Sequence, residues 1–210
     1  TLSAQFTPPY SLFSKKDYKS LYESSSRADR EELYRWIEYY KIKFKSRVYT
    51  PLNNSEKYTL VLMGRADFGL LGSYNKYKQT PFETFHVGGD GMTGSYTYAT
   101  ETIGLRGYDN GALTPYSDGR AYTRFSMELH FPFLLQPSST IYGLAFVEGG
   151  NAWTSLENFN PFSLKRSAGV GVRIFLPMIG LMGIDWAYGF DKVQGEKGGG
   201  HFHFILGQEF

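Results

Sequence analysis

Residues 40–48 read Tyr-Lys-Ile-Lys-Phe-Lys-Ser-Arg-Val. Successive side chains in a strand point to opposite faces. As a strand, this segment places Tyr40, Ile42, Phe44 and Val48 on one side and Lys41, Lys43, Lys45 and Arg47 on the other. A row of cations rules out a strand buried on both faces. It fits a wall between an apolar medium and a wet space. The row either lines a solvated wall or selects anions in a pore, and the solvated wall is the simpler expectation.

The same period-two alternation recurs and predicts eight strands, at residues 1–10, 37–50, 58–72, 122–133, 140–153, 164–176, 181–191 and 201–210. In the first, Leu2, Ala4 and Phe6 share a face. In the third, Leu60, Leu62, Ala66 and Phe68 oppose Arg65 and Asp67. In the fourth, Phe125, Met127, Leu129 and Phe131 oppose Arg124, Ser126, Glu128 and His130. The sixth sets Val170, Val172 and Ile174 against Gly169, Gly171 and Arg173. The seventh sets Ile184, Trp186, Tyr188 and Phe190 against Asp185, Ala187, Gly189 and Asp191. The eighth sets Phe202, Phe204 and Leu206 against His201, His203 and Glu209. The fifth is awkward: Glu148 shares parity with Tyr142, Leu144 and Phe146, which by pattern face lipid. Either a bulge near Gly149-Gly150 resets the face, or the parity is off by one residue.

Connections alternate in length, short after the even strands and long after the odd ones. Bacterial outer-membrane barrels have short periplasmic turns and long outer loops. The alternation therefore predicts an extracellular loop at residues 73–121 and a periplasmic C-terminus. The polar stretch 11–30 reads as another loop, with one short helical turn at 29–35. Periodicity alone leaves a soluble antiparallel sandwich or barrel open, since its strands alternate too.

Composition narrows the classes. Aromatics make up 18% of the chain, with 17 Tyr, 17 Phe and 24 Gly, a mix suited to strands and tight turns. Cysteine is absent, which excludes disulfides and thiolate zinc sites. A net charge of +2 gives no electrostatic case for nucleic acid. The near-apolar run 174–184 is broken by Pro177, Gly180 and Gly183. It is shorter than the roughly 18 residues a membrane helix needs. Mean hydropathy is −0.35, and a barrel gives such values because only alternate strand residues face lipid. No signal peptide begins at Thr1, so the chain is expected to be a mature product or part of one.

Three motifs sharpen the reading. The C-terminus, FHFILGQEF, has aromatics at alternate positions and ends on Phe210. It resembles the terminal signal of outer-membrane barrels. A ring at the last residue would sit at the membrane interface. The segment PFETFHVGGDG at 81–91 precedes Leu105, Arg106, Gly107 and Tyr108. The stretches MELHFPF and FVEGGNAW carry Glu128 and Glu148. These motifs resemble the BamA family, a family of outer-membrane assembly factors whose barrel domain is also known as the bacterial surface antigen domain. KRSAGVGVRIFLP and GIDWAYGFD also fit its late strands, and the overall flavour is Bacteroidota-like.

The resemblance covers residues 1–210 and implies an all-β chain. It implies a single transmembrane antiparallel β-barrel domain, the last eight strands of a 16-stranded barrel. It further implies that Arg106 is held inside the barrel by Glu128 and Glu148. The terminal strand, with Phe202, Phe204, Gly207 and Phe210, would form one side of a lateral seam weakened by glycine. The implied function is assembly and insertion of outer-membrane barrels in the Gram-negative outer membrane. The implied partners are unfolded barrel clients, accessory lipoproteins of a BAM complex and membrane lipids. A related transporter, of two-partner-secretion or TamA-like type, is the alternative. A barrel phospholipase is a weaker third.

No catalytic residue, cofactor or metal is expected. GGDGMTG lacks the lysine of a P-loop. Asp185 and Asp191 share a face, but six strand residues span roughly 20 Å. His201 and His203 would be a metal pair without a third ligand, so lumen-lining histidines are the preferred reading.

Overall fold

The computed structural model describes residues 1–55, 58–91, 100–114, 119–136, 139–178, 180–193 and 198–207. In chain order the elements are β1 (Leu2–Phe6), α1 (Tyr10–Phe13), α2 (Tyr18–Glu23), α3 (Arg27–Tyr34), β2 (Tyr40–Pro51), β3 (Val61–Gly72), β4 (Phe85–Val87), β5 (Glu101–Ile103), β6 (Ala121–Gln136), β7 (Ser139–Trp153), β8 (Lys165–Leu176), β9 (Gly180–Gly189) and β10 (Gly200–Leu206). Eight of the strands form one antiparallel sheet in the order β1-β2-β3-β6-β7-β8-β9-β10. The other two, β4 and β5, make a parallel pair inside the long connection between β3 and β6.

All eight expected strands are present, with shifted ends. Pro8 and Pro9 lack the N–H that a ladder needs, so β1 stops at Phe6. The terminal strand stops at Leu206, and Gly207 turns away with φ +69°. Phe210 lies outside the described residues. The stretch after β1 holds three short helices rather than one turn. Asp17 caps α2 by accepting from the Lys19 and Ser20 amides at 3.1 and 3.4 Å. The apolar anchor of α3 is Leu33, which is buried. Short helices with one buried residue carry almost no periodic signal, which is why the polar composition dominated the reading.

The two faces of the sheet are inverted relative to a soluble protein. On the outer face Phe44, Met127, Val147, Val170, Trp186 and Phe204 are exposed. On the inner face Arg65, Asp67, Glu128, Glu148, Arg173 and Asp185 are buried. Apolar side chains facing out and paired charges facing in are what a membrane-spanning barrel wall requires.

The parity puzzle in β7 resolves simply. Its ladders with β6 and β8 run unbroken through Gly149-Gly150, and the described slip lies between Pro132 and Leu134. Tyr142, Leu144 and Phe146 therefore face inward with Glu148, not toward lipid. Leu144 and Phe146 pack with Ala187 of β9. Apolar residues are tolerated on that face because they have partners there: Phe146 lies under the Arg106 guanidinium of the long connection, and Tyr142 lies against His130 of β6.

That connection also changes the reading of the cation row. Leu71, Phe85, Val87, Ile103 and Tyr122 form a buried cluster between the sheet and the β4–β5 pair. Lys41 is buried and lies 3.0 Å from Glu83 and 3.3 Å from Glu101. Lys43 and Lys45 also reach Glu101, at 2.9 and 3.4 Å. The row is thus neither a solvated wall nor a free anion path; three of its cations bind the acids of the connection.

Burial opposes the charge on Glu101, but the Lys43 hydrogen bond and the three lysine charges outweigh it and hold this carboxyl below its usual value of 4.5. A depressed carboxylate contributes stability above its unfolded pKa and loses it as pH falls through the folded one. Hydrogen exchange at Phe85–Val87 and Glu101–Ile103 is expected to be constant from pH 7 down to about 4.5, once corrected for intrinsic rates. Protection should then fall at lower pH. In Glu101→Gln that acid step should vanish.

Candidate functional site

The site is assembled by the path of the connection. An antiparallel bridge joins Gly89 to Leu105, with Leu105 N–H donating to the Gly89 carbonyl at 3.0 Å and the reverse bond at 3.2 Å. The segments at 81–91 and 105–108 are therefore neighbours in space. One residue upstream, Arg124 of β6 donates to the Gly104 carbonyl at 2.7 Å. The same guanidinium holds Asp67 of β3 at 2.6 Å, and Arg65 holds it at 2.7 Å.

Leu105 to Tyr108 then cross the inner face. Leu105 is fully buried near Gly150. Arg106 has no exposed surface. Its Nη2 donates to Glu128 of β6 and, at 2.5 Å, to Glu148 of β7. Its Nη1 donates to Asp185 of β9 at 2.9 Å. Its backbone N–H donates to the other oxygen of Glu148 at 3.0 Å. The guanidinium lies 3.5 Å from the centre of the Phe146 ring, a stacking that strengthens when water is excluded. Asp185 is shared: Arg173 of β8 grips it at 2.5 and 2.7 Å. Glu128 is shared as well, with His130 at 2.8 Å.

Two guanidinium groups and three carboxylates thus meet in a water-poor space. Arginine suits this place because its planar fork serves several acids at once and stays charged. A buried charge cluster gives little net stability, since desolvation offsets attraction, yet losing one member leaves the rest uncompensated. The cluster therefore acts as a positional lock: it disfavours any path of the connection that leaves the three acids unpaired.

The next two residues extend the lock. Gly107 has φ +87°, a region that L side chains rarely adopt. A Cβ there would lie 2.7 Å from Ser167 Cβ and 3.0 Å from Gly189 N. Gly107→Ala should cost on the order of 1–3 kcal/mol through strain and displacement of the wall. A lower melting temperature in detergent, with the folded gel band retained, is the expected signature. Tyr108 donates its hydroxyl to the Arg166 carbonyl at 2.7 Å. Burial pushes that hydroxyl up to about 12, so it stays a neutral donor.

The site also contains residues that the sequence reading passed over. Asp185 was weighed only as an acid–base partner of Asp191, yet its partners are Arg106 and Arg173. The available signal was Gly171, directly opposite Asp185 in the ladder. A Cβ at 171 would overlap the Asp185 carboxylate, so the glycine marks where the acid needs space. Arg173 and His203 likewise gave no sign beyond inward parity. Phe202 and Phe204 face outward and are exposed. Gly207 lies past the strand, though its N–H still donates to the Leu181 carbonyl at 2.7 Å. Among the described residues no group of three His, Asp or Glu side chains has metal-ligand geometry.

Comparison with known proteins adds two findings. Residues 24–210 match the Omp85 superfamily domain. The fold is similar to the crystal structure of BamA from Haemophilus ducreyi lacking POTRA domains 1–3, with a TM-score of 0.59 at 21% sequence identity. The match covers 79% of this chain and 34% of that one, so the chain spans about a third of the length of the BamA structure.

Proposed function

The chain belongs to the Omp85 superfamily, whose members insert or translocate proteins as outer-membrane β-barrels, and from that premise we propose that it works in the assembly of other outer-membrane barrels. In this reading the eight-stranded sheet is part of a larger barrel in the Gram-negative outer membrane. The connection between β3 and β6 enters from the extracellular side. Clients are unfolded barrel proteins, received at the edge of β10, with accessory lipoproteins and the surrounding lipid as further partners.

The observation that carries the reading is the superfamily match over residues 24–210, joined to a sheet whose outer face is apolar and exposed and whose inner face is charged and buried. In this reading β10 presents Phe202, Phe204 and Leu206 outward to the membrane. An edge strand offers a row of N–H and C=O groups that can template another strand. Alternate apolar side chains keep that templating at membrane depth.

Depletion of the full-length protein in its native cell tests this. Many heat-modifiable barrels should disappear from the outer membrane together. If the barrels persist while one secreted passenger accumulates in the periplasm, the protein is a translocation pore and the assembly reading fails.

A further inference from the structure

Residues 106–109 touch the terminal strand as well as the strands that hold Arg106. The Gly107 N–H donates to Nε2 of His203 at 2.9 Å. Both partners are buried. His203 pairs with Asp185 across the β9–β10 ladder, and Asp185 is the acid that holds Arg106 Nη1. Consecutive residues of the connection therefore grip directly paired positions on adjacent strands. A second contact lies further along: His201 Nδ1 is 3.2 Å from Asp109 Oδ1. Asp109 is largely exposed there, and such a pair holds weakly. The buried Gly107–His203 bond is the stronger link.

We propose that His203 is the residue that couples the seated connection to the terminal strand, so that each stabilises the other. An imidazole accepts at Nε2 only when that nitrogen carries no proton, which leaves Nδ1–H as the donor. The amide of Gly107 belongs to the peptide that joins it to Arg106, so its position follows from the Arg106 lock. When the lock is closed the amide is delivered to β10 and the strand is pinned on its inner face. When the connection leaves, His203 Nε2 loses the Gly107 amide and β10 loses its link to the inner face. Because coupling between two sites is reciprocal, freeing β10 must also weaken the seat of the connection. The consequence for client entry rests on the assembly reading: the edge that would receive a client is ordered by the connection inside the barrel.

Hydrogen exchange on the full-length protein in lipid vesicles tests the coupling, read at residues 104–109 and at 200–206. His203→Ala should raise exchange about tenfold in both segments, a change of roughly 1.4 kcal/mol in local opening, while β6 and β7 keep parent rates. His203→Gln, whose amide oxygen can accept from the same N–H, should recover most of the protection. Exchange that rises in the strand alone overturns the proposal, as does a glutamine variant as loose as alanine. If His203→Ala yields no folded band, Arg106→Lys decides. It loosens the connection without altering β10, and coupling requires faster exchange at 200–206 as well. Parent-like rates there would overturn the proposal. Client insertion is scored in the same vesicles. Coupling without insertion counts against the assembly reading alone, and insertion without coupling against this inference alone.

Discussion

Arg106→Ala in the full-length protein is expected to abolish the compact band on unboiled gels, or to make the connection between β3 and β6 accessible to protease. The substitution removes the one cation shared by Glu128, Glu148 and Asp185. Of these acids, Asp185 keeps Arg173 and Glu128 keeps His130. Glu148 has no second side-chain partner among the described residues, and it also carries the Arg106 backbone amide. Breaking one partner of a buried pair costs about 3–5 kcal/mol, a large share of the roughly 5–15 kcal/mol that holds a domain folded. Arg106→Lys should fall between, because one ammonium cannot span three strands. An unchanged band with a protected connection in Arg106→Ala would mean that the charge cluster does not decide where the connection sits.

Asp185→Asn carries the second large effect. Asp185 receives three guanidinium hydrogen bonds, two from Arg173 and one from Arg106. Asparagine keeps the volume and one acceptor oxygen but removes the charge. Hydrogen bonds to charged groups contribute about 1.5–3 kcal/mol each, so a loss of roughly 2–4 kcal/mol is expected after the remaining acceptor is credited. The measurement is the temperature at which the compact band disappears, compared with Asp191→Asn. Asp191 pairs with the largely exposed Arg166 at 2.9 Å, and exposed pairs contribute about 0–1 kcal/mol. Equal shifts for the two variants would remove Asp185 from the lock.

Much of the fold was legible because strand alternation is a local property. All of the eight strands except β7 announced their two faces within a dozen residues, and the alternation of short and long connections matched. The polar stretch after β1 was misread because α1, α2 and α3 are too short for a helical period to appear. Tyr142, Leu144 and Phe146 were given the wrong face because hydrophobicity was taken to mean lipid. Their inward neighbours are Ala187 of β9, the Arg106 guanidinium over Phe146, and His130 of β6 beside Tyr142, none of which the strand's own pattern reveals.

The site divides the same way. Arg106, Glu128 and Glu148 could be named from motifs, and their types suit one another chemically. Nothing within any single segment, however, joins Arg106 to Asp185 across 79 residues, or Gly107 to His203 across 96. Those contacts depend on the register of β8 against β9 and of β9 against β10, and on a left-handed turn at Gly107. Residue order by itself determined that the chain makes walls with one charged and one apolar face, because strand geometry converts parity directly into side. Only the tertiary structure decided which inward charges meet, because that depends on where a long connection crosses the sheet, and the burial of several charges together excludes almost every other path.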